Sequence, residues 1–268
     1  MITFPNAKIN LGLNIVEKRE DGYHNIETLF YPINLRDCLE IVPARGKTEL
    51  HLSGLHLEGG KKDNLVWKAY EVLTDAFPDK ITPIDIYLHK TIPTGGGLGG
   101  GSSDGAYMLS LLNEYFSLGL STEQLVSYAL KLGSDCPFFI HNAPQYASGR
   151  GEFMEPVLLD LSAFCIQLVC PDVHVSTHDA YKHITPKPAP ADLRNLVGAD
   201  IMVWRDEVTN DFEGEVFAKH PELAELKEEL YKAGAIYASM TGSGSALYGI
   251  FEKGKKAAFD SDVKQFLL

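Results

Sequence analysis

The amino-acid sequence predicts a two-domain protein of mixed α and β structure. The chain has 268 residues, enough for one large domain or two ordinary domains, each with its own core. Its first half alternates apolar strands with a glycine-rich turn and helical stretches, whereas the pattern changes from Phe153 onward. Strand, helices, strand, turn and strand then follow, which is typical of an α+β layer with antiparallel pairing. We therefore place a domain boundary near residue 150, giving domains 1–150 and 151–268.

Composition indicates an acidic, soluble, globular protein. Hydrophobic residues make up 45% and charged residues 22% of the chain, and the net charge is -12. That charge argues against binding to nucleic acid or to a membrane surface. No apolar run approaches the roughly 20 residues of a membrane span, and the N-terminus lacks the plan of a signal peptide, so we expect a cytoplasmic protein. The four cysteines lack metal-ligand spacing, which predicts reduced thiols.

The start of the chain is predicted to form two or three strands over residues 2–42, because its apolar residues alternate. A charged, glycine-containing stretch at 17–24 predicts a loop or hairpin between them. Lys8 lies among apolar residues of the first strand, and taken alone it would be an outward-facing lysine. Further on, Asp63 or Asn64 is expected to cap a helix.

A glycine-rich segment, IPTGGGLGGGSSDGA, occupies residues 92–106. Seven of its fifteen residues are glycine, against about 7% in ordinary proteins, so the backbone adopts positive φ or approaches another group closely. An alternating strand at 84–88 precedes it and helical spacing at 107–116 follows it, with Ser102–Asp104 expected as capping residues. Strand, glycine loop and helix start form a concavity of N–H groups that attracts anions. The segment therefore predicts a phosphate-binding loop, and a structural turn is the alternative.

Two common nucleotide-binding patterns fit this chain poorly. Gly95, Gly97 and Gly100 satisfy G-x-G-x-x-G, but a helix begins at Ser121 where a dinucleotide fold needs a second parallel strand. Residues 249–256 have the spacing of a Walker loop, but a lysine stands where the metal-binding hydroxyl belongs. A dinucleotide-dependent oxidoreductase is therefore disfavoured.

The remaining segments show simple local patterns. Asp135 follows a helix and precedes an apolar run, 136–139, that predicts a strand; a lone aspartate there is more often a turn or capping residue than a base. Residues 164–170 predict a buried strand, 236–251 predict two strands, and 255–266 predict a helix.

Several motifs resemble the GHMP kinase superfamily, named for galacto-, homoserine, mevalonate and phosphomevalonate kinases. The superfamily motifs are PNAKIN (5–10), PTGGGLGGGSSDGA (93–106) and MTGSGSA (240–246). Within it the sequence is most similar to the branch that phosphorylates 4-diphosphocytidyl-2-C-methyl-D-erythritol. That similarity rests on KREDGYH (18–24), ETLF (27–30), LGSDCPFF (132–139) and GRGE (149–152). Gly105 departs from the family pattern, which usually has alanine there.

The resemblance implies a fold, a reaction and a catalytic pair. The implied fold is a two-domain α/β (α+β) GHMP kinase fold, with an N-terminal domain like ribosomal S5 domain 2 and a ferredoxin-like C-terminal domain. The implied reaction is ATP-dependent phosphorylation of the substrate's 2-hydroxyl, giving the 2-phosphate and ADP, in the non-mevalonate route to isoprenoids. Asp135 is implied as the catalytic base and Lys8 as its cationic partner.

The resemblance also implies the binding residues. Asn64 and Lys90 would lie near the adenine of ATP, and Mg²⁺ is implied without a nameable ligand. Tyr23 and Tyr181 would sandwich the cytosine, His24 would bind its polar edge, and Asn10 and Thr177 would line the methylerythritol end. The phosphates of ATP would contact the glycine-rich segment through Pro93, Gly95, Gly96, Gly97, Leu98, Gly99, Gly100, Gly101, Ser102 and Ser103.

Two other functions remain open from the sequence. One is a GHMP kinase for another small alcohol, such as mevalonate or homoserine, although the string at 18–24 argues against it. The other is a nucleotide-binding regulator that lost turnover, although the presence of both Lys8 and Asp135 argues against that. The expected partners are small molecules, with neither nucleic acid nor membrane, and the sequence leaves monomer or homodimer open.

Overall fold

The computed structural model describes residues 1–57, 59–182, 184–259 and 263–268. The strands are β1 (Ile2–Thr3), β2 (Asn6–Lys18), β3 (His24–Arg36), β4 (Cys38–Pro43), β5 (Glu49–Gly54), β6 (Ile84–Lys90), β7 (Gln145–Ser148), β8 (Phe153–Pro156), β9 (Phe164–Cys170), β10 (Tyr237–Met240), β11 (Leu247–Glu252) and β12 (Lys264–Leu267). The helices are α1 (Leu65–Ala76), α2 (Gly100–Tyr115), α3 (Thr122–Leu132), α4 (Cys136–His141), α5 (Thr177–Tyr181), α6 (Trp204–Glu207), α7 (Phe212–Lys219) and α8 (Pro221–Lys232).

The chain forms two compact units, each assembled from separate segments. Unit 1 comprises Met1–Lys8, Asn34–Thr94 and Gly99–Ala143. Unit 2 comprises Ile9–Ile33, Gly95–Leu98 and Pro144–Leu268. The predicted division into domains 1–150 and 151–268 stays a prediction.

Unit 1 contains a mixed sheet with strand order β1-β4-β6-β5, in which β5 runs parallel to β6 and the other pairs are antiparallel. The alternation in β6 is confirmed, because Ile84, Ile86 and Leu88 are buried between more exposed neighbours. Helices α1 to α4 complete the unit. Helix α2 lies close to α1 at Gly105, where a Cβ would be 3.0 Å from the Cβ of Leu65, so the glycine permits tight helix packing.

Unit 2 contains a sheet of order β10-β11-β9-β12, in which all neighbouring strands are antiparallel. A second sheet has the order β2-β3-β7-β8, and most residues of β2 and β3 belong to unit 2. The antiparallel pairing expected for the C-terminal half is confirmed. Helices α7 and α8 bury Phe212, Val216 and Leu230 in one apolar cluster. The same cluster contains Met240, the last residue of β10, and Leu247, the first residue of β11.

Two of the predicted helix caps are confirmed. Of the two residues expected to cap α1, Asn64 does so, its Oδ1 accepting a hydrogen bond from the Val66 N–H at 2.9 Å. Ser121 and Gln124 form the reciprocal capping box at the start of α3. For α2 the prediction was wrong: residues 102–104 lie inside the helix, and Gly99 is the N-cap. Gly99 takes a left-handed φ of 69°, which lets the helix begin before the polar residues.

Two further expectations were wrong. The apolar run 136–139 is helical, as part of α4, with a proline in the first turn where its fixed φ suits a helix. Residues 255–259 lack regular structure and Lys264–Leu267 form an edge strand on β9 rather than a helix. Residues 260–262 of that predicted helix lie outside the described residues. Pairing with β9, far away in sequence, overrides the local helical pattern.

In the described ranges no helix is both long and apolar enough to cross a membrane.

Candidate active site

Lys8 and Asp135 lie together in unit 1, as a site would require. The Nζ of Lys8 is 3.8 Å from Oδ2 of Asp135. Lys8 is buried, whereas the Asp135 side chain is 33% exposed at the start of α4, so a reactant can reach the carboxylate. Burial lowers the pKa of Lys8, and the charge of Asp135 partly opposes that shift. The outward-facing alternative for Lys8 is therefore wrong.

The second half of the glycine loop forms the start of α2 in unit 1. A Cβ on Gly99 would lie 2.9 Å from the Phe139 ring and 3.2 Å from the Lys8 side chain. A Cβ on Gly100 would lie 2.9 Å from Ile92. These two glycines are required by packing inside the protein. The first-turn N–H groups of a helix lack intrahelical partners and point along its axis, so this turn is suited to binding an anion.

Gly101 differs from its neighbours. It is exposed, its φ lies outside the left-handed region, and a Cβ there would meet no atom within 4 Å. Neither backbone conformation nor packing explains a glycine at this helical position, where alanine would be more stable.

Lys90 is buried at the end of β6 in a cluster of charges. Its Nζ donates to a carboxylate oxygen of Asp37 and, at 2.6 Å, to Oδ2 of Asp104. With its ammonium group bound in this way, an adenine contact at Lys90 would come from the backbone. Asn64, the other predicted adenine contact, uses its side-chain oxygen to cap α1.

The first half of the glycine loop belongs to unit 2 and is supported by the TGSGS turn, residues 241–245. Gly97 has a φ of +74°, and a Cβ there would lie 2.1 Å from the Thr241 carbonyl oxygen. The Thr241 hydroxyl donates to the Gly97 carbonyl at 3.3 Å and accepts from the Asn10 N–H at 3.0 Å. The turn therefore holds the loop and Asn10 in one hydrogen-bonded group.

The same turn contacts Thr177, another predicted substrate residue. The Thr177 and Ser243 hydroxyls are 3.0 Å apart, within hydrogen-bond distance. The Nδ1 of His174 lies 3.6 Å from the position that a Cβ of Gly95 would take. Unit 2 thus brings together Asn10, Thr177 and residues 95–97 around the turn.

Two of the predicted cytosine residues, His24 and Tyr181, meet in unit 2. The His24 ring stacks on Tyr181, with centroids 5.0 Å apart and planes 18° from parallel, and Tyr181 and Phe212 form a T-shaped pair. Burial and the charge of Lys18 lower the pKa of His24, which favours its neutral form. His24 therefore covers one face of the Tyr181 ring, and the predicted sandwich of cytosine between Tyr23 and Tyr181 stays a prediction.

Tyr23, the residue before His24, is the third predicted cytosine residue. It is 57% exposed, and the Arg150 guanidinium lies 4.8 Å from its ring centroid. An exposed aromatic face beside a neutral imidazole can stack on a base and bind its polar edge. The roles of these residues stay predictions.

The sequence matches two protein-family models and curated relatives that belong to one family of kinases. The model of the GHMP kinase N-terminal domain matches residues 64–143, and that of the GHMP kinase C-terminal domain matches residues 193–265. A protein of Bacteroides thetaiotaomicron named 4-diphosphocytidyl-2-C-methyl-D-erythritol kinase is 52% identical over 255 residues, covering 94% of this chain and 92% of its own. The chain belongs to the GHMP kinase family.

Solved structures of GHMP kinases extend the comparison. A crystal structure of 4-(cytidine 5'-diphospho)-2C-methyl-D-erythritol kinase superposes with a TM-score of 0.81 at 33% identity, covering 93% of this chain and 90% of that chain. The mevalonate kinase of Methanococcus jannaschii shares the fold, with a TM-score of 0.73 at 13% identity over 100% of this chain and 97% of that chain. The two-domain GHMP kinase fold is thereby confirmed. ATP is the co-substrate of this family of kinases, and the dinucleotide-dependent alternative is excluded.

One group of side chains among the described residues has metal-ligand spacing. Glu49, His51 and Asp85, on β5 and β6, have ligand atoms within 4.8 Å of one another. They are outside the residues predicted for this GHMP kinase site, and His51 is stacked on Tyr87. We assign no protein ligand for Mg²⁺.

Sequence reasoning missed the charged cluster around Lys90. Asp37 stands in an ordinary position between two strands, and Asp104 was interpreted as a helix cap. The only local signal was an aspartate after the paired serines in the first turns of α2, the helix that follows the glycine loop. The partners come from positions 53 and 14 residues away, so no local spacing reveals them.

Proposed function

We propose that this protein phosphorylates the 2-hydroxyl of 4-diphosphocytidyl-2-C-methyl-D-erythritol with Mg·ATP, releasing the 2-phosphate and ADP in the non-mevalonate route to isoprenoids. The observation that carries the proposal is the pair of Lys8 and Asp135, 3.8 Å apart. It occurs in a chain that is 52% identical to the Bacteroides thetaiotaomicron protein named 4-diphosphocytidyl-2-C-methyl-D-erythritol kinase. Residues 1–150 would form the domain with the phosphate loop, and residues 151–268 the domain that contributes to the substrate site.

The chemistry follows from these two side chains. Asp135 accepts the proton of the substrate 2-hydroxyl while the hydroxyl oxygen bonds to the γ-phosphorus of ATP. The bond between the γ-phosphorus and the oxygen that bridges it to the β-phosphate breaks, and ADP is released. Lys8 stays close to the carboxylate, where its positive charge favours the ionised acid and stabilises charge that develops on the reacting oxygens. Mg²⁺ arrives with ATP as part of the substrate and offsets charge on the β and γ phosphates.

Two sets of residues would bind the two nucleotide parts: the glycine-rich loop would bind the phosphates of ATP, and Tyr23, His24 and Tyr181 would bind the cytosine of the substrate. The phosphates would contact residues 93–103, with the N–H groups at the start of α2 as donors. Tyr23 and Tyr181 supply aromatic surface for cytosine and His24 supplies a polar partner for its edge, which is the contact that can reject uracil. Asn10 and Thr177 would line the methylerythritol end.

ADP release tests the reaction and its substrate together. We expect release from Mg·ATP only with the cytidine compound, and none with mevalonate, homoserine or the uridine analogue. Release of ADP with another alcohol would support a kinase but reject the predicted role of Tyr23, His24 and Tyr181 in binding cytosine. ATP binding without turnover of any of these alcohols would favour a nucleotide-binding regulator.

A further inference from the structure

Asp37, Lys90 and Asp104 form a buried cluster of charges in unit 1 that the proposed proton transfer does not use. All three are 1 to 2% exposed as whole residues. Lys90 donates to both carboxylates, and Asp37 also accepts the N–H groups of Thr91 at 2.5 Å and Ile92 at 2.9 Å. Within the described residues, Oδ1 of Asp104 has no hydrogen-bond partner.

Stability does not explain this cluster. The ammonium of Lys90 and the carboxyl groups of Asp37 and Asp104 are all removed from water, and the cost of burying charged groups can exceed what an ion pair returns. Burial raises the pKa of Asp104 to about 8, against the lowering effect of Lys90. Costly buried groups with strongly shifted pKa values are found most often at functional sites.

The position of the cluster indicates what it does. Asp37 holds the backbone at Thr91 and Ile92, where the chain enters the glycine-rich segment. Asp104 lies in the second turn of α2, where the chain leaves it, and the Lys90 Nζ is 3.4 Å from the position that a Cβ of Gly100 would take. One ammonium group therefore ties the entry of the segment to its exit.

We propose that Asp104 is a positioning residue for ATP: through Lys90 and Asp37 it fixes the first turn of α2 against the end of β6, and so aims the N–H groups of residues 100–102 at the phosphates. The proposal rests on the proposed function only in taking ATP as the phosphoryl donor. Asp104 and Asp37 do not contact the nucleotide in this scheme. The side chain of Lys90 acts on the loop.

The test measures ATP binding by calorimetry without the alcohol substrate. Asp104→Ala removes the tie to α2, and we expect the Kd for ATP to rise about tenfold or more, since small displacements of positioned groups have large effects. The KM for the alcohol should stay within about twofold, because its predicted contacts belong to other segments. Asp104→Asn keeps an oxygen that can accept from Lys90, so we expect it to restore ATP binding to within about threefold of the wild type at pH 7.

Lys227→Met is the matched control. Its Nζ pairs with Glu213 at 2.6 Å, with side chains 21% and 14% exposed, so its loss also breaks a partly buried ion pair. We expect this variant to lose thermal stability and to keep the wild-type Kd for ATP. Equal weakening of ATP binding in Lys227→Met and Asp104→Ala would overturn the proposal, as would a wild-type Kd in Asp104→Ala.

Asp104→Leu decides the question if Asp104→Ala does not fold. Leucine is close to aspartate in size but cannot accept a hydrogen bond from Lys90, so the tie to α2 is lost while the space stays filled. We expect the Kd for ATP of Asp104→Leu to rise about tenfold, which corresponds to about 1.4 kcal/mol. A wild-type Kd in a folded Asp104→Leu variant would overturn the proposal. Because the Kd for ATP is measured without the alcohol, a failure of the proposed substrate leaves the comparisons of ATP binding unaffected.

Discussion

Replacing Gly101 with alanine should make the protein more stable and a poorer binder of ATP. Gly101 lies in the first turn of α2, is exposed, and has an ordinary φ with open space around its Cβ position. Nothing in the folded chain therefore requires glycine there. If the glycine serves the approach of a phosphate group, the added methyl will hold that group away from the N–H donors.

The two effects have opposite signs and separate magnitudes. Alanine is favoured over glycine within a helix by about 0.5 to 1 kcal/mol, which sets the expected gain in the free energy of unfolding. Loss of close contact with the phosphates should raise the Kd for ATP about tenfold, which corresponds to about 1.4 kcal/mol.

Gly97→Ala is the matched contrast within the same loop. Its φ of +74° and a Cβ 2.1 Å from the Thr241 carbonyl oxygen force strain or a backbone shift. Positive φ costs about 1 to 2 kcal/mol and overpacking about 1 to 3 kcal/mol, so we expect a loss of about 2 to 5 kcal/mol in stability.

Urea unfolding and calorimetric titration with ATP measure both quantities on the same samples. The prediction for Gly101 requires stability at or above that of the wild type together with weaker ATP binding. Wild-type affinity in Gly101→Ala would show that the phosphates do not approach this residue. A stability loss like that of Gly97→Ala would show that packing explains the glycine after all.

Three further predictions concern the reaction and its substrate. Asp135→Asn should lower kcat by about 10²- to 10⁴-fold and leave the Kd for ATP within about twofold, and near-normal turnover would reject the base assignment. His24→Ala should reduce the preference for the cytidine over the uridine substrate by about tenfold in kcat/KM, and an unchanged ratio would reject its role. Because burial lowers the pKa of Lys8 below the ordinary 10.5, its positive charge is lost as pH rises through that lower value, so kcat should fall on the alkaline side. Lys8→Arg, which stays charged, should move this fall to higher pH if it retains turnover, and an unmoved alkaline limb would assign the fall to another group.

Short-range patterns in the sequence predicted several elements correctly, but not the start of α2 or the helical form of α4. The alternation of 84–88 predicted β6, residues 164–170 matched β9, and the caps of α1 and α3 were identified from residues two or three positions apart. The family was recognised from local strings for the same reason, because phosphate loops and capping boxes depend on residues close together in the chain.

The roles of individual glycines could not be separated by sequence. All seven in the segment suggested phosphate binding, yet Gly97 is required by a carbonyl more than 140 residues away and Gly99 by Phe139. Gly101 alone among these three is unexplained by the folded chain. Whether a glycine is required by packing depends on which atoms of distant segments lie near its Cβ position, and the residue type alone does not show this.

The sequence by itself determined the starts of α1 and α3, the alternating strand β6 and the glycine-rich segment that leads into α2, since each depends on backbone conformation and on neighbours within a few residues. Tertiary structure alone decided that Lys8 is buried beside Asp135, that Lys90 joins Asp37 to Asp104, and that Lys264–Leu267 form a strand on β9. Those outcomes depend on burial and on partners brought from distant segments, and their free energies exist only once the chain has folded.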